Sequence, residues 1–159
     1  MGTRFKSSNP EHQIYEDHVT LHIEDDTELV TGIGPIEREL PGNVKGLMCI
    51  LDITSGVTGD ALDLFDVFVQ TRISAGVVTP VWVDVVHFTQ HIGTDLATRL
   101  FAGINLNLIE ALFDNAAALA AGAVRDVQGD LWRCRWDIVD GGGAGTHTWA
   151  FSVGIQPMG

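Results

Sequence analysis

Bases are scarce in this chain of 159 residues: nine Lys and Arg stand against twenty-one Asp and Glu, a net charge of −12. Such a field repels phosphate and excludes nucleic-acid binding through overall charge. The closest basic pair in the body of the chain, Arg133 and Arg135, is too small a patch to reverse that. Cysteine is nearly absent. Cys49 and Cys134 stand alone in apolar contexts and are expected to be buried free thiols, which fits synthesis in a reducing cytoplasm. No apolar run approaches the roughly 18 residues of a membrane span, because Asp52, Asp63, Asp66 and Asp84 break the longest stretches. The start, Met1 to Lys6, has no apolar run behind its bases, so a secretory signal is not expected. Lys6 stands where a myristoylation signal would want Ser or Thr.

What the chain does have is a hydrophobic fraction of 45%, too apolar for a disordered chain of this charge. A compact domain of this size buries roughly 70% of the surface its unfolded form exposes, so it needs no disulfide or metal staple. Residues 1–17 are polar, with Ser7, Ser8, Asn9 and Pro10 together, and read as an extended N-terminal arm. Residues 18–159 read as a single domain.

Within that domain the apolar residues alternate with period two. Val19, Leu21 and Ile23 alternate with His18, Thr20 and His22 in a half-buried strand that Glu24-Asp25-Asp26 should end. Gly32 to Pro35 and Leu40 to Asn43 carry turn chemistry around a short connector. Leu47 to Ile53 is nearly all apolar, a strand buried on both faces or lying at an interface, and Ser55 to Asp60 makes the next turn. Phe65, Val67, Val69, Thr71 and Ile73 define the core face of a long strand, with a bulge or twist expected near Leu64, which sits on the opposite phase with Leu62. On that phase Val67 and Val69 point inward, while Gln70 points outward and should tolerate Asp. Val81, Val83 and Val85 mark the next strand after a loop at 77–80, with Trp82 outward. Leu100, Ala102 and Ile104 share one face of a strand over 98–106. Residues 107–124 read as an excursion with a helical turn. Leu131 to Ile138 and Thr148 to Ile155 alternate around Gly141 to Gly145, which predicts a closing hairpin. Seven or so strands without repeating helices predict an all-β fold, an antiparallel β-sandwich or jelly roll with an extended N-terminal arm.

Chemistry-bearing constellations are thin. His18 and His22 share a strand face, but the strand rise sets them roughly 13 Å apart, beyond the reach of one metal ion even with His12 and Glu24 to Asp26 nearby. An exposed face is the expectation. His87 and His91, the latter placed in a loop past the strand end, are expected to be solvated or hydrogen-bonded. Asp60, Asp63 and Asp66, with Asp84 as a possible neighbour, lack the EF-hand order, so no calcium site is expected. Gly141 to Gly145 has no following Lys-Ser/Thr and no helix, so it is a turn and not a phosphate loop. No Ser sits in a nucleophile elbow. No catalytic residue, metal or cofactor is assigned. Trp132 and Trp136 share a face with Cys134 and Ile138, so packing is favoured over a sugar platform. The candidate partner-binding residues are Phe5, Ile14 and Tyr15, spaced apolar anchors in the arm beside Arg4 and Lys6, and the outward Trp82.

Several segments, taken in order, resemble a known family. They are Leu51-Asp52-Ile53-Thr54, Leu64 through Ile73, Trp82 through Gln90, Leu119 through Asp126, Leu131 through Ile138, and Phe151 through Ile155. This series over residues 45–157 is similar to small jelly-roll virion proteins of tailed bacteriophages, which serve as capsid decoration, cement or head-and-tail accessory proteins. Residues 1–40 match nothing in that pattern. The resemblance implies a non-enzymatic virion structural protein, assembled in the host cytoplasm, that binds the major capsid protein or other virion proteins. It also implies self-association, with a homotrimer on local three-fold axes. A carbohydrate-binding module or receptor-binding jelly roll of a tail or neck element is the alternative, and a hydrolase with two facing carboxylates is a third.

Overall fold

The computed structural model describes residues 19–28, 31–40, 44–55, 60–74, 78–107, 117–142 and 148–159. The proposed arm, with Phe5, Ile14 and Tyr15, lies outside them, as do His12, His18 and most of the Gly141–Gly145 turn. Nine strands are described: β1 (Val19–Glu28), β2 (Gly32–Ile33), β3 (Gly46–Ser55), β4 (Leu64–Ile73), β5 (Val81–His87), β6 (His91–Ile92), β7 (Thr98–Asn105), β8 (Leu131–Val139) and β9 (Thr148–Met158). No helix occurs among the described residues. The helical turn expected in 107–124 is absent from the part described, where Ala121-Gly122 is a turn and Val124 bridges Val86.

The strands form two antiparallel sheets packed as a sandwich. The first has the order β1-β9-β3-β7; the second runs β2-β8-β4-β5, with β6 pairing onto β4. Side chains alternate across each strand, so one face of each sheet meets the other. Leu21, Leu47, Cys49, Leu51, Ile53, Trp149, Phe151, Val153 and Ile155 supply the first sheet's half of the core. Phe65, Val67, Val69, Val85, Trp132, Cys134 and Trp136 supply the second's. An aromatic cluster joins the layers: Phe65 stacks on Trp149 at 4.9 Å, and Phe151 meets Phe65 and Trp136 edge-on at 4.9 and 5.6 Å.

Tertiary pairing overrides the local signals at five places. First, β1 does not end at Glu24; it runs to Glu28, because β9 continues the ladder as far as Thr148. A register shift between Thr20 and His22 inserts Leu21 as an extra residue. The phase therefore flips, so that His22 is buried at 5% exposure and Ile23 stands out at 64%. His22 lies 4.3 Å from the Trp136 ring, which corrects the expected exposed histidine face.

Second, the turn-like Gly32-Ile33 is a short strand on β8, where a Cβ at Gly32 would lie 2.8 Å from the Trp136 ring. Third, the bulge expected near Leu64 is not there, for β4 pairs with β8 without a break from Leu64↔Val139. It falls instead between β4 and β5, where Val85 is extra and both Val85 and Val86 are buried. Fourth, β8 and β9 do not form a hairpin. They belong to different sheets, so the glycine-rich segment joins the two layers. Fifth, Gln70 is outward in phase yet only 6% exposed, because neighbouring side chains close over it.

Candidate functional site

The outward face of the second sheet carries the densest polar chemistry. β4 presents Asp66, Phe68 and Gln70, β5 presents Trp82, Asp84 and His87, and β8 presents Arg133, Arg135 and Asp137. The β5 bulge decides part of this, since the extra residue turns His87 outward opposite Phe68. Gln70 sits at the centre. Its amide donates to Asp84 Oδ1 at 2.8 Å, and its carbonyl accepts from Arg133 Nε at 2.8 Å. Arg135 donates to Asp84 Oδ2 at 3.1 Å and to Asp137. Each guanidinium also lies over a ring, Arg133 on Trp82 at 3.9 Å and Arg135 on Phe68 at 3.8 Å.

His87 closes the row. Its Nδ1 lies 2.7 Å from the Leu119 carbonyl and its Nε2 lies 2.7 Å from Asp66 Oδ1, while Gln90 donates to Asp66 Oδ2. A carbonyl and an ionised carboxylate can only accept, so both ring nitrogens carry protons and His87 is an imidazolium. Burial pushes its pKa down, but the bonds to Asp66 and Leu119 outweigh burial and hold it above the ordinary value of 6.5. Burial likewise pushes Asp66 up, and the bonds from His87 and Gln90, with Arg135 nearby, hold it below 3.8. The signs follow from linkage. The His87 contribution is complete below about pH 6.5 and is lost as pH rises through the raised folded value. The Asp66 contribution is present above about pH 4 and is lost on acidification. Thermal melts should therefore fall between pH 6 and pH 9, with Asp66, Asp84 and Arg135 as the charged groups around the ring. His87→Gln should flatten that alkaline slope; an unchanged slope would reject the imidazolium assignment.

On this face the His87–Asp66 pair is occupied at both ring nitrogens. The acids named from sequence are dispersed. Asp60 caps the Leu62 amide at 2.8 Å, Asp63 is buried and accepts from Gly141 at 3.0 Å, and Asp66 belongs to His87. His91 is not in a loop but in β6, buried, with Nδ1 accepting from the Trp149 indole and Nε2 donating to Leu96. Among the described residues no group of three His, Cys, Asp or Glu side chains could hold a metal ion. Cys49 and Cys134 are buried and unpaired, and burial pushes the Cys49 thiol up to about 12. Trp132, Trp136 and Trp149 are core residues, while Trp82 is half-buried with Arg133 over its ring.

A second candidate was missed from sequence. The outward face of the first sheet bears a groove of about 320 Å³ lined by Thr20, Ile23, Ile50, Phe101, Ser152 and Gly154, with the Asp52–Arg99 pair at its side. Ile23 and Phe101 are exposed there, at 64% and 62%. The available signals were Phe101, out of phase with Leu100 and Ala102, and Ile50, out of phase with Cys49 and Leu51. This face offers apolar contact and neutral hydroxyls in an otherwise acidic chain, which suits a protein surface better than a charged small molecule. Comparisons with protein-family models, curated proteins and solved structures find no match to this chain.

Proposed function

We propose that this chain is a non-enzymatic structural protein of a tailed-phage virion, a jelly roll that binds the head or a head-accessory site and braces its subunits. The observation that carries the reading is the strand order. Every connection except those along β4-β5-β6 passes from one sheet to the other, giving β1-β9-β3-β7 over β2-β8-β4-β5. That interleaving supports a jelly roll, an arrangement used by viral capsid and lectin domains.

Two further features fit a mechanical role. The charged side chains of the second sheet's outer face are bonded to one another, so that face stiffens the sheet. The first sheet leaves an apolar groove for contact with other virion proteins. On this reading residues 1–17 reach a neighbouring subunit, with Phe5, Ile14 and Tyr15 as anchors, and the acidic surface complements basic patches on the lattice. The alternative of a glycan-binding tail or neck element draws no support from Trp82, whose ring lies under Arg133. The test is whether purified particles contain the chain in numbers comparable with the major capsid protein.

A further inference from the structure

Each sheet has edges, and an open edge strand is a template for another chain. Three of the four edges here are guarded. β1 carries two register shifts. β2 has only two residues. β5 is covered by the segment 122–125, through Gly122 N to His87 O, His87 N to Ala123 O and Arg125 N to Val85 O. The fourth edge, β7, has eight residues without proline, acid or lysine, pairs with β3 in unbroken register, and among the described residues has no second strand beside it.

The free side of β7 can be assigned. The Leu106 amide bonds Lys45 O, towards β3, while the Asn105 amide bonds the Asp126 side chain. Alternation then directs the amides of Arg99, Phe101 and Gly103 away from β3, to the side where Asp126 meets Asn105 and where no described residue bonds these three amides. Leu100 and Ala102 face the core yet remain only partly buried. Gly103 is a second, separate observation. A glycine weakens a strand interior and marks a bulge or the close approach of another chain. There is no bulge, its φ is not positive, and a Cβ placed on it meets nothing within 4 Å. Nothing among the described residues requires this glycine. It floors a hollow of about 380 Å³ bounded by Lys45, Gly46, Ile104 and Met158, two residues along the strand from the exposed Phe101.

We propose that β7 pairs antiparallel with β7 of a second copy of this chain, centred on Ala102, making one eight-stranded sheet across the two-fold axis. In that register Phe101 of each copy lies opposite Gly103 of the other and fills its hollow, an aromatic laid over a strand glycine. Leu100 meets Ile104 of the second copy on the core side and completes its cover. A knob and its matching hollow two residues apart on one strand are self-complementary, which favours a second copy over an unrelated chain. Charge agrees. β7 itself has no acid and its one base, Arg99, is paired with Asp52, while Asp126 and Lys45 flank its Asn105 end, one charge of each sign, so two acidic chains meet along a nearly neutral edge. The inference goes beyond the virion reading and does not depend on it.

Sedimentation of the purified full chain tests it, alongside Gly103→Val and Phe101→Lys. The wild type should form dimers at micromolar concentration. Both variants should associate more weakly by one to two orders of magnitude, the scale of losing a buried aromatic anchor. Gly103→Val serves as its own folding control. With open space above it and a β-branched side chain, it should melt at or above the wild type when both are diluted to monomers. A wild type that stays monomeric, or that forms trimers, overturns the proposal. So does a dimer that survives both substitutions, including one that is lost only when residues 1–17 are removed, which would make the arm the occupant.

Discussion

Val69→Asp should abolish soluble expression. Val69 is fully buried on the inner face of β4, paired with Cys134 on β8 and Val86 on β5. A carboxylate there is without water, and Arg133 and Arg135, the nearest bases along β8, point to the opposite face of the sheet. A buried unpaired charge costs several kcal/mol, set against a total stability of about 5–15 kcal/mol for a domain of this kind. Val67→Asp should behave in the same way. The informative contrast is Gln70→Asp, one residue away and outward. It would set a second carboxylate beside Asp84 and remove the acceptor–donor bridge between Asp84 and Arg133. It should still fold, with a lowered melt, which revises the tolerance expected from strand phase alone. Soluble yield and circular dichroism of the three variants check the assignment; normal folding of Val69→Asp would mean the sheet faces are inverted.

Gly129→Ala should be the most damaging single-methyl change outside the core. The glycine passes so close to β4 that a Cβ would lie 2.0 Å from the Arg72 carbonyl oxygen and 2.5 Å from Thr71 Oγ1. Its amide already bonds Thr71 Oγ1 at 3.0 Å, and the next residue, Asp130, bonds Arg72 through both carboxylate oxygens at 3.0 and 2.8 Å. The obstruction is backbone, which cannot rotate aside as a side chain would. The expected loss is about 3 kcal/mol, the upper end for overpacking, or roughly 6–12 °C in melting temperature at this size. A melt within a degree or two of wild type would show that the 129–130 turn is free to move.

Val69 and Gly129 mark the division between what could and could not be read from the chain. Val69 was legible because Phe65, Val67, Val69, Thr71 and Ile73 keep one phase along β4, and β8 pairs with that strand in unbroken register. The same holds for Leu131 to Ile138, where three buried residues alternate with charged ones. Gly129 was not legible, since close approach is a property of two distant segments. His22 and Ile23 were misassigned because a single extra residue in β1, Leu21, reverses the phase at these two positions, and that bulge is dictated by β9 across the sheet. The closing hairpin failed for a related reason. A glycine-rich connection between two strands permits a tight turn but does not require the strands to pair, and here each has better partners in its own sheet. The polar row of Asp66, Gln70, Asp84, His87 and Arg135 comes from three stretches of sequence, and only strand order brings it together. Its members were visible as residue types, but their mutual bonding was not. Trp82 was correctly read as outward, although its stacking under Arg133 depends on the β8-β4-β5 order.

Quantitative mass spectrometry of gradient-purified phage particles, calibrated against the major capsid protein, tests the proposed role most directly. A decoration or cement protein predicts the chain at a fixed, high ratio to the capsid protein, retained through the gradient. A handful of copies per particle would move it to a neck or tail element. Absence from particles, with the chain abundant and soluble in the infected cell, would contradict a structural role in the virion.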